Sequence, residues 1–294
     1  MKAPVSLRGR DFLRVRDFSR EELETVLDLA AELKAHPRPL LPQKTLGLVF
    51  GQPSTRTRIS FATAMIQLGG GFVTLTPDEM QLSRGESVHD TAHVLSRYLD
   101  ALAIRILSHE ELEAWAEGAD IPVINALTSA EHPCQALADV LTIRERLGGL
   151  EGVRVAWVGD GTNVLDSLAD LAAALGAEVV AACPEGYDPA SESLSLVRDP
   201  REAVRGADVV ATDIWVSLGQ EAERERRLSD LEPYRLDESL VELAAPHAIV
   251  LHCLPAHPGE EISPGVLYGE RSAVWDEAEN RLHAQKALLV ELLA

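Results

Sequence analysis

The sequence predicts an α/β fold of two doubly wound parallel-sheet domains joined by interdomain helices, and three observations carry that expectation. Apolar, β-rich runs alternate with helical patterns along the chain, the pattern of parallel sheets with helices between their strands. At 294 residues the chain is long enough for two such domains of ordinary size. Midway, a helical pattern from Glu131 to Leu147 ends at Gly148-Gly149, a natural stop and a candidate hinge, after which the strand pattern starts again. In the first half strands are expected at Leu46–Phe50, Phe72–Leu75, Ala101–Ile106 and Val123–Ala126. In the second half they are expected at Val153–Val158, Glu178–Ala182, Val209–Thr212 and Ile249–Leu251, followed by a last helix over Glu277–Leu292.

Composition excludes several classes. A net charge of −20 repels nucleic acid. No apolar run reaches the ~18 to 20 residues that cross a bilayer, and the start of the chain, Met1 to Ser6, lacks an apolar signal core. A soluble, cytoplasmic protein is expected. Cys134, Cys183 and Cys253 form neither an even framework nor a C-x-x-C pair, and the histidines show no H-x-x-x-H or H-E-x-x-H spacing. No metal and no disulfide are expected.

The most informative segment follows the first strand. Phe50-Gly51-Gln52-Pro53-Ser54-Thr55-Arg56-Thr57-Arg58 opens a helical pattern with hydroxyls and guanidiniums crowded at its start. The unpaired N–H groups and positive dipole end of a helix favour an anion there, and arginine forks match phosphate oxygens. Alone, the segment is equally a Ser/Thr helix cap beside solvated arginines. A second turn, Gly159-Asp160-Gly161-Thr162-Asn163-Val164, also joins a strand to a helix. It lacks the third glycine of a dinucleotide fingerprint and reads better as a turn presenting Asn163 to a ligand at the carboxyl end of a strand.

Four segments in order carry a family resemblance: Ser54-Thr55-Arg56-Thr57-Arg58, His132-Pro133-Cys134-Gln135, Asp213 to Gly219 with Ser217 and Leu218, and His252-Cys253-Leu254-Pro255. These resemble the motifs S-T-R-T-R, H-P-x-Q, D-x-x-x-S-M-G and H-C-L-P of the aspartate/ornithine carbamoyltransferases. The last two place the chain nearest the ornithine enzymes, since aspartate enzymes carry H-P-L-P where this chain has His252-Cys253-Leu254-Pro255. The match runs from about residue 10 to the C-terminus. It departs at Leu218, where methionine is usual, at Thr162, which replaces the first of an Asn-Asn pair, and in a short segment from Tyr187 to Pro200.

The resemblance implies transfer of a carbamoyl group from carbamoyl phosphate to the side-chain amine of L-ornithine, giving L-citrulline and phosphate, with arginine biosynthesis the expected direction and no cofactor. It implies a carbamoyl phosphate-binding domain over residues 1–139 and an ornithine-binding domain over 140–276, with helix 277–294 packing back on the first. Ser54, Thr55, Arg56 and Thr57 would hold the phosphate; Arg105 would bridge phosphate and carbonyl oxygen; His132 would donate to that oxygen, and Gln135 would hold the carbamoyl NH₂. Arg281 closes the set, and with net charge so negative the site must be locally basic, with Arg58 a further candidate. His132 and Gln135, three apart, fall on one face of a helix start.

For the amino acid, Asn163, Asp213, Ser217 and Leu218 are implied, with Asp213 facing the α-ammonium. Cys253 would lie near the reacting amine, and the Leu254 carbonyl would accept from the carbamoyl NH₂. Because only the neutral amine attacks, activity is expected to rise into the alkaline range. Gln81, in the loop Asp78 to Ser87, is implied to reach a neighbouring subunit's phosphate site, which makes a homotrimer the expected assembly. Three other functions compete: a carbamoyltransferase for putrescine, N-acetylornithine or aspartate; a non-catalytic binding protein; and an oxidoreductase using the Gly159 turn. Intact Asn163, Asp213 and Ser217 argue against putrescine, which lacks an α-carboxylate. An N-acyl group would leave Asp213 facing no ammonium.

Overall fold

The computed structural model describes residues 6–217 and 219–294. Its contacts divide the chain into two compact units, one ending at Ala138 and resuming over Asn280–Ala294, the other Asp139–Glu279.

The first unit runs α1 (Arg20–Ala35), β1 (Thr45–Phe50), α2 (Arg56–Gln67), β2 (Gly71–Leu75), α3 (Val88–Leu95), β3 (Ala101–Arg105), α4 (His109–Gly118), β4 (Val123–Leu127) and the start of α5 (Pro133–Leu147). Its strands are all parallel in the order β2-β1-β3-β4. Leu46 to Phe50 of β1 are buried one after another, so both faces of the strand are covered. The β4 edge is closed by the incoming chain, where the Phe12 N–H donates to the Val123 carbonyl at 2.8 Å and the Asn125 N–H to that of Phe12 at 2.9 Å.

The second unit contains β5 (Arg154–Val158), α6 (Asn163–Ala174), β6 (Glu178–Ala182), β7 (Ser195–Val197), α7 (Pro200–Val204), β8 (Val209–Thr212), α8 (Arg224–Leu231), α9 (Glu238–Val241), β9 (Ile249–His252) and α10 (Pro264–Leu267). A second all-parallel sheet results, ordered β7-β6-β5-β8-β9. The last helix, α11 (Val274–Leu293), begins in this unit and ends in the first. In each sheet the strand order reverses once, between β1 and β3 and between β5 and β8. The carboxyl ends of those strands are where open α/β sheets receive ligands.

The two parallel sheets agree with the predicted fold class. Several details differ. Helix α5 starts at Pro133 rather than Glu131, because Glu131 is held in the preceding loop: its N–H donates to Thr128 Oγ1 and its carbonyl accepts the Thr128 N–H. The chain leaves the first unit within α5, at Ala138, so Gly148-Gly149 ends a helix without marking the division. Helix α11 begins three residues before Glu277, and the short edge strand β7 was not foreseen.

Candidate active site

In the first unit the predicted phosphate residues stand at the carboxyl ends of the two switch-point strands. Ser54 and Thr55 lead from β1 into α2, whose first residue is Arg56, while Arg105 ends β3, opposite Phe50 in the register. The Gly51 N–H donates to the Arg105 carbonyl at 2.9 Å, which ties the turn after β1 to the strand carrying that arginine. Helices α1, α3 and α4 are capped by Ser19, Ser87 and Ser108, yet Thr55 makes no such side-chain bond at α2. The start of α2 thus lacks the serine-type side-chain cap of the other three helices, which leaves its first-turn amides without that partner.

His132 and Gln135 follow β4, both buried, with the Gln135 N–H on the His132 carbonyl at 3.0 Å. The loop that delivers them is pinned by Asn125, whose side chain donates to the Leu13 carbonyl at 2.9 Å and accepts the Leu127 N–H at 2.9 Å. Buried Arg281, on α11, donates to Thr57 Oγ1. The His132 imidazole lies well below its usual pKa, first because it is buried and then because the Arg281, Arg105 and Arg56 guanidiniums all act on it. His132 is thus a neutral ring in a locally cationic setting, in a chain whose net charge is −20. Arg58 is exposed, and exposed Gln81 opens a short 3-10 turn, its side-chain oxygen accepting from Arg84 at 3.4 Å.

In the second unit Asn163 opens α6 after β5, Asp213 follows β8, and Cys253 and Leu254 follow β9. Asp213 is the hub. Its carboxylate accepts from Cys253 Sγ at 3.0 Å, from the Ile214 N–H at 2.8 Å and from Thr162 Oγ1 at 3.3 Å. The departure at Thr162 therefore has a structural use: its hydroxyl holds Asp213 in place of capping α6. Ser217 lies in a turn with Gln220, its N–H on Gln220 Oε1 at 2.9 Å. Leu218 lies outside the described residues.

Burial and then the Asp213 charge push the Cys253 thiol well above its ordinary pKa. It is a protonated donor, not a thiolate nucleophile. Burial likewise raises Cys134 and Cys183 to about 12. All three cysteines should therefore alkylate much more slowly at pH 8 in the folded protein than after denaturation, as read by intact mass after iodoacetamide. Rapid native labelling of Cys253 would contradict the thiol assignment.

Among the described residues two groups bring metal-ligating atoms within 4.8 Å of one another: Asp213 with His252 and Cys253, and His257 with Glu260 and Glu261. Both are already knit by protein hydrogen bonds, Cys253 donating to Asp213 and the His257 N–H to Glu261 Oε1. The dinucleotide alternative loses its space: a Cβ placed on Gly161 would lie 2.4 Å from the Pro189 nitrogen. The backbone of Asp188-Pro189 fills the approach that a pyrophosphate needs at a fingerprint's second glycine.

Sequence reasoning missed two anchoring residues. Arg227 of α8 is buried; its Nε donates to the Trp215 carbonyl at 2.6 Å, it also donates to Asp160, and its guanidinium lies 4.9 Å from the centre of the Tyr187 ring. It links the turn leading to Asn163 with the loop carrying Asp213 and Ser217. Fully buried Glu261 accepts from the His252 ring. Both sit in charged stretches, Arg224 to Arg227 and Glu260-Glu261, that read as solvated surface.

Two parallel sheets with polar side chains gathered at the carboxyl ends of their switch-point strands define the class, a two-unit α/β enzyme. Residues 10–145 match the aspartate/ornithine carbamoyltransferase carbamoyl-P binding domain, and residues 151–292 match the Asp/Orn binding domain of the same family. The chain belongs to the aspartate/ornithine carbamoyltransferase family and is a carbamoyltransferase. It is 52% identical to the ornithine carbamoyltransferase of Carboxydothermus hydrogenoformans, over 98% of this chain and 99% of that one. Among solved structures, the ornithine carbamoyltransferase from Pyrococcus furiosus is similar with a TM-score of 0.94 and 47% identity, covering 98% of each chain. The anabolic ornithine carbamoyltransferase from Campylobacter jejuni is similar with a TM-score of 0.90 and 40% identity, covering 95% of this chain and 97% of that one.

Proposed function

We propose that the chain is an ornithine carbamoyltransferase, moving the carbamoyl group of carbamoyl phosphate to the side-chain amine of L-ornithine and releasing phosphate and L-citrulline. The observation that carries this reading is the convergence of Arg56, Arg105 and Arg281 on neutral His132 beside the start of α2. A dianionic donor supplies the negative charge such a cluster favours. Ser54, Thr55, Arg56, Thr57 and Arg281 bind its phosphate, Arg105 spans phosphate and carbonyl oxygen, His132 donates an N–H to that oxygen, and Gln135 accepts from the carbamoyl NH₂. As the amine attacks, charge grows on the carbonyl oxygen, and these donors stabilise it before the C–O bond to phosphate breaks. Gln81 comes from a neighbouring subunit.

The amino acid is bound by Asn163, Asp213, Ser217 and Leu218. Asp213, already accepting three donors within its unit, has acceptor capacity left for an α-ammonium. Cys253 stays a neutral thiol near the reacting amine, so transfer is direct and passes through no carbamoyl-cysteine. The names of the relatives support ornithine as the acceptor. The anabolic Campylobacter jejuni neighbour supports the biosynthetic direction, toward arginine. The first unit is the carbamoyl phosphate-binding domain and the second the ornithine-binding domain.

A homotrimer fits this reading, since exposed Ile59 and Ile66, seven apart on α2, offer apolar surface for assembly. Cysteines without disulfides suit a cytoplasmic location. Among the described residues no helix is long and apolar enough to cross a membrane.

Turnover of carbamoyl phosphate with L-ornithine, N-acetylornithine, putrescine and L-aspartate in parallel tests the acceptor. Citrulline from ornithine should dominate, with a rate that climbs as pH approaches the pKa of the side-chain amine. Preference for another amine would overturn the roles given to Asp213 and Ser217.

A further inference from the structure

We propose that Glu261 is a positioning residue for the transfer: through the ring of His252 it sets the direction in which the Leu254 peptide presents its carbonyl oxygen. The proposal rests on the reading above, in which that oxygen accepts from the carbamoyl NH₂.

The Leu254 N–H donates to His252 Nδ1 at 3.0 Å. A backbone N–H can only donate, so Nδ1 must accept, and the ring carries its proton on Nε2. That Nε2–H donates to Glu261 Oε1 at 3.0 Å. The same oxygen takes the His257 N–H, so one carboxylate oxygen spans both ends of the segment from His252 to His257. The ring's own backbone is fixed as well, because the His252 N–H donates to Glu277 Oε2 at 2.8 Å and the residue pairs with Thr212 at the end of the sheet.

Leu254 itself sits at φ 57°, the left-handed region that residues with a Cβ seldom enter, and its N–H bond to the His252 ring is what the turn offers to keep it there. Both the His252 ring and the Glu261 side chain have no exposed surface. Burying a carboxylate is costly unless it is paired and hydrogen-bonded, and Glu261 Oε1 takes both the His252 ring and the His257 N–H. Those bonds specify one imidazole tautomer and one peptide orientation. A filler role would need neither, since the Glu261 backbone makes its own link, its carbonyl accepting the Leu236 N–H at 2.9 Å.

The test uses the full chain labelled with ¹⁵N-histidine, whose ring shifts report the tautomer of His252, together with kcat and both KM values. Wild-type protein should show His252 as the Nε2–H tautomer. Glu261→Gln, which keeps an acceptor at the Oε1 position, should retain that tautomer and a kcat near wild type. Glu261→Ala should lose the single tautomer and about 10²-fold in kcat, the scale of a reacting group misplaced by about 1 Å, with a smaller rise in KM for carbamoyl phosphate and none in KM for ornithine. An Nδ1–H tautomer in the wild type, or full kcat in folded Glu261→Ala, overturns the proposal. Should Glu261→Ala not fold, His252→Gln keeps a donor near the Nε2 position for Glu261 but places no acceptor at the Nδ1 position that the Leu254 N–H uses. It carries the same expected loss, and full kcat in it overturns the proposal. Absence of ornithine turnover in the wild-type chain would instead sink the underlying functional reading, and it is seen without any variant.

Discussion

Arg56→Ala is expected to lower kcat/KM by roughly 10²- to 10³-fold, the scale of losing one preorganised donor to developing charge. The melting temperature should stay nearly unchanged, because Arg56 is only half-buried at the first residue of α2. In the proposed role its guanidinium would give a phosphate a bidentate, charge-assisted contact, so Arg56→Lys should recover only part of the loss. The same substitution removes one of the three cations that hold the His132 pKa down, and NMR titration should find that pKa moved upward. Arg281→Ala should differ in kind. Arg281 is buried and bonded to Thr57, so its loss would cost stability together with activity. Near-wild-type kinetics in Arg56→Ala would remove the phosphate site from the start of α2.

Arg227→Ala is the substitution expected to cost most in stability, about 3–5 kcal/mol, because it leaves Asp160 buried without its cation. Asp160 is raised from 3.8 to about 6, burial outweighing the lowering effect of Arg227, with Asp213 raising it further. A carboxyl whose folded pKa exceeds its unfolded one takes up protons on folding, so its contribution falls as pH rises between those two values. Without Arg227 the folded pKa climbs further and the falling window extends upward. The deficit should therefore be smaller at pH 5, where Asp160 can be protonated, than at pH 8. Urea unfolding at the two pH values measures this, and a deficit independent of pH would contradict the pairing. Because Arg227 also holds the Trp215 carbonyl, surviving folded enzyme should show a raised KM for ornithine.

What could be read from sequence follows from where physics leaves a local trace. Strands β6 and β8 lie where their apolar runs placed them, because parallel strands covered on both faces need consecutive apolar residues. Strand β7 left no trace, since Ser195 and Leu196 at a sheet edge are exposed and carry no such pattern. The positions of candidate residues on strand-to-helix turns were legible, as at Ser54 to Thr57 before and within the start of α2 and at Asn163 at the start of α6. It was illegible where a long-range partner decides the role. Arg227 and Glu261 look like surface charges until the Trp215 carbonyl and the His252 ring are seen against them. Thr162 read as a departure, and only its bond to Asp213 shows what the hydroxyl does. The pair Gly148-Gly149 signals the end of α5 and falls between the two family domains, at residues 145 and 151, whereas the contact division at Ala138 depends on residues distant in sequence and leaves no local signal.

The most direct test follows the carbon atom itself. Carbamoyl phosphate labelled with ¹³C at its carbonyl is supplied with L-ornithine, and NMR tracks where the label goes while phosphate release is measured in the same sample. The label is expected to move to the ureido carbon of citrulline in equal amount with phosphate released, with no labelled thiocarbamate on the protein. Phosphate release with the label appearing as free carbamate or bicarbonate, or label retained on Cys253, would contradict direct transfer between the two bound ligands.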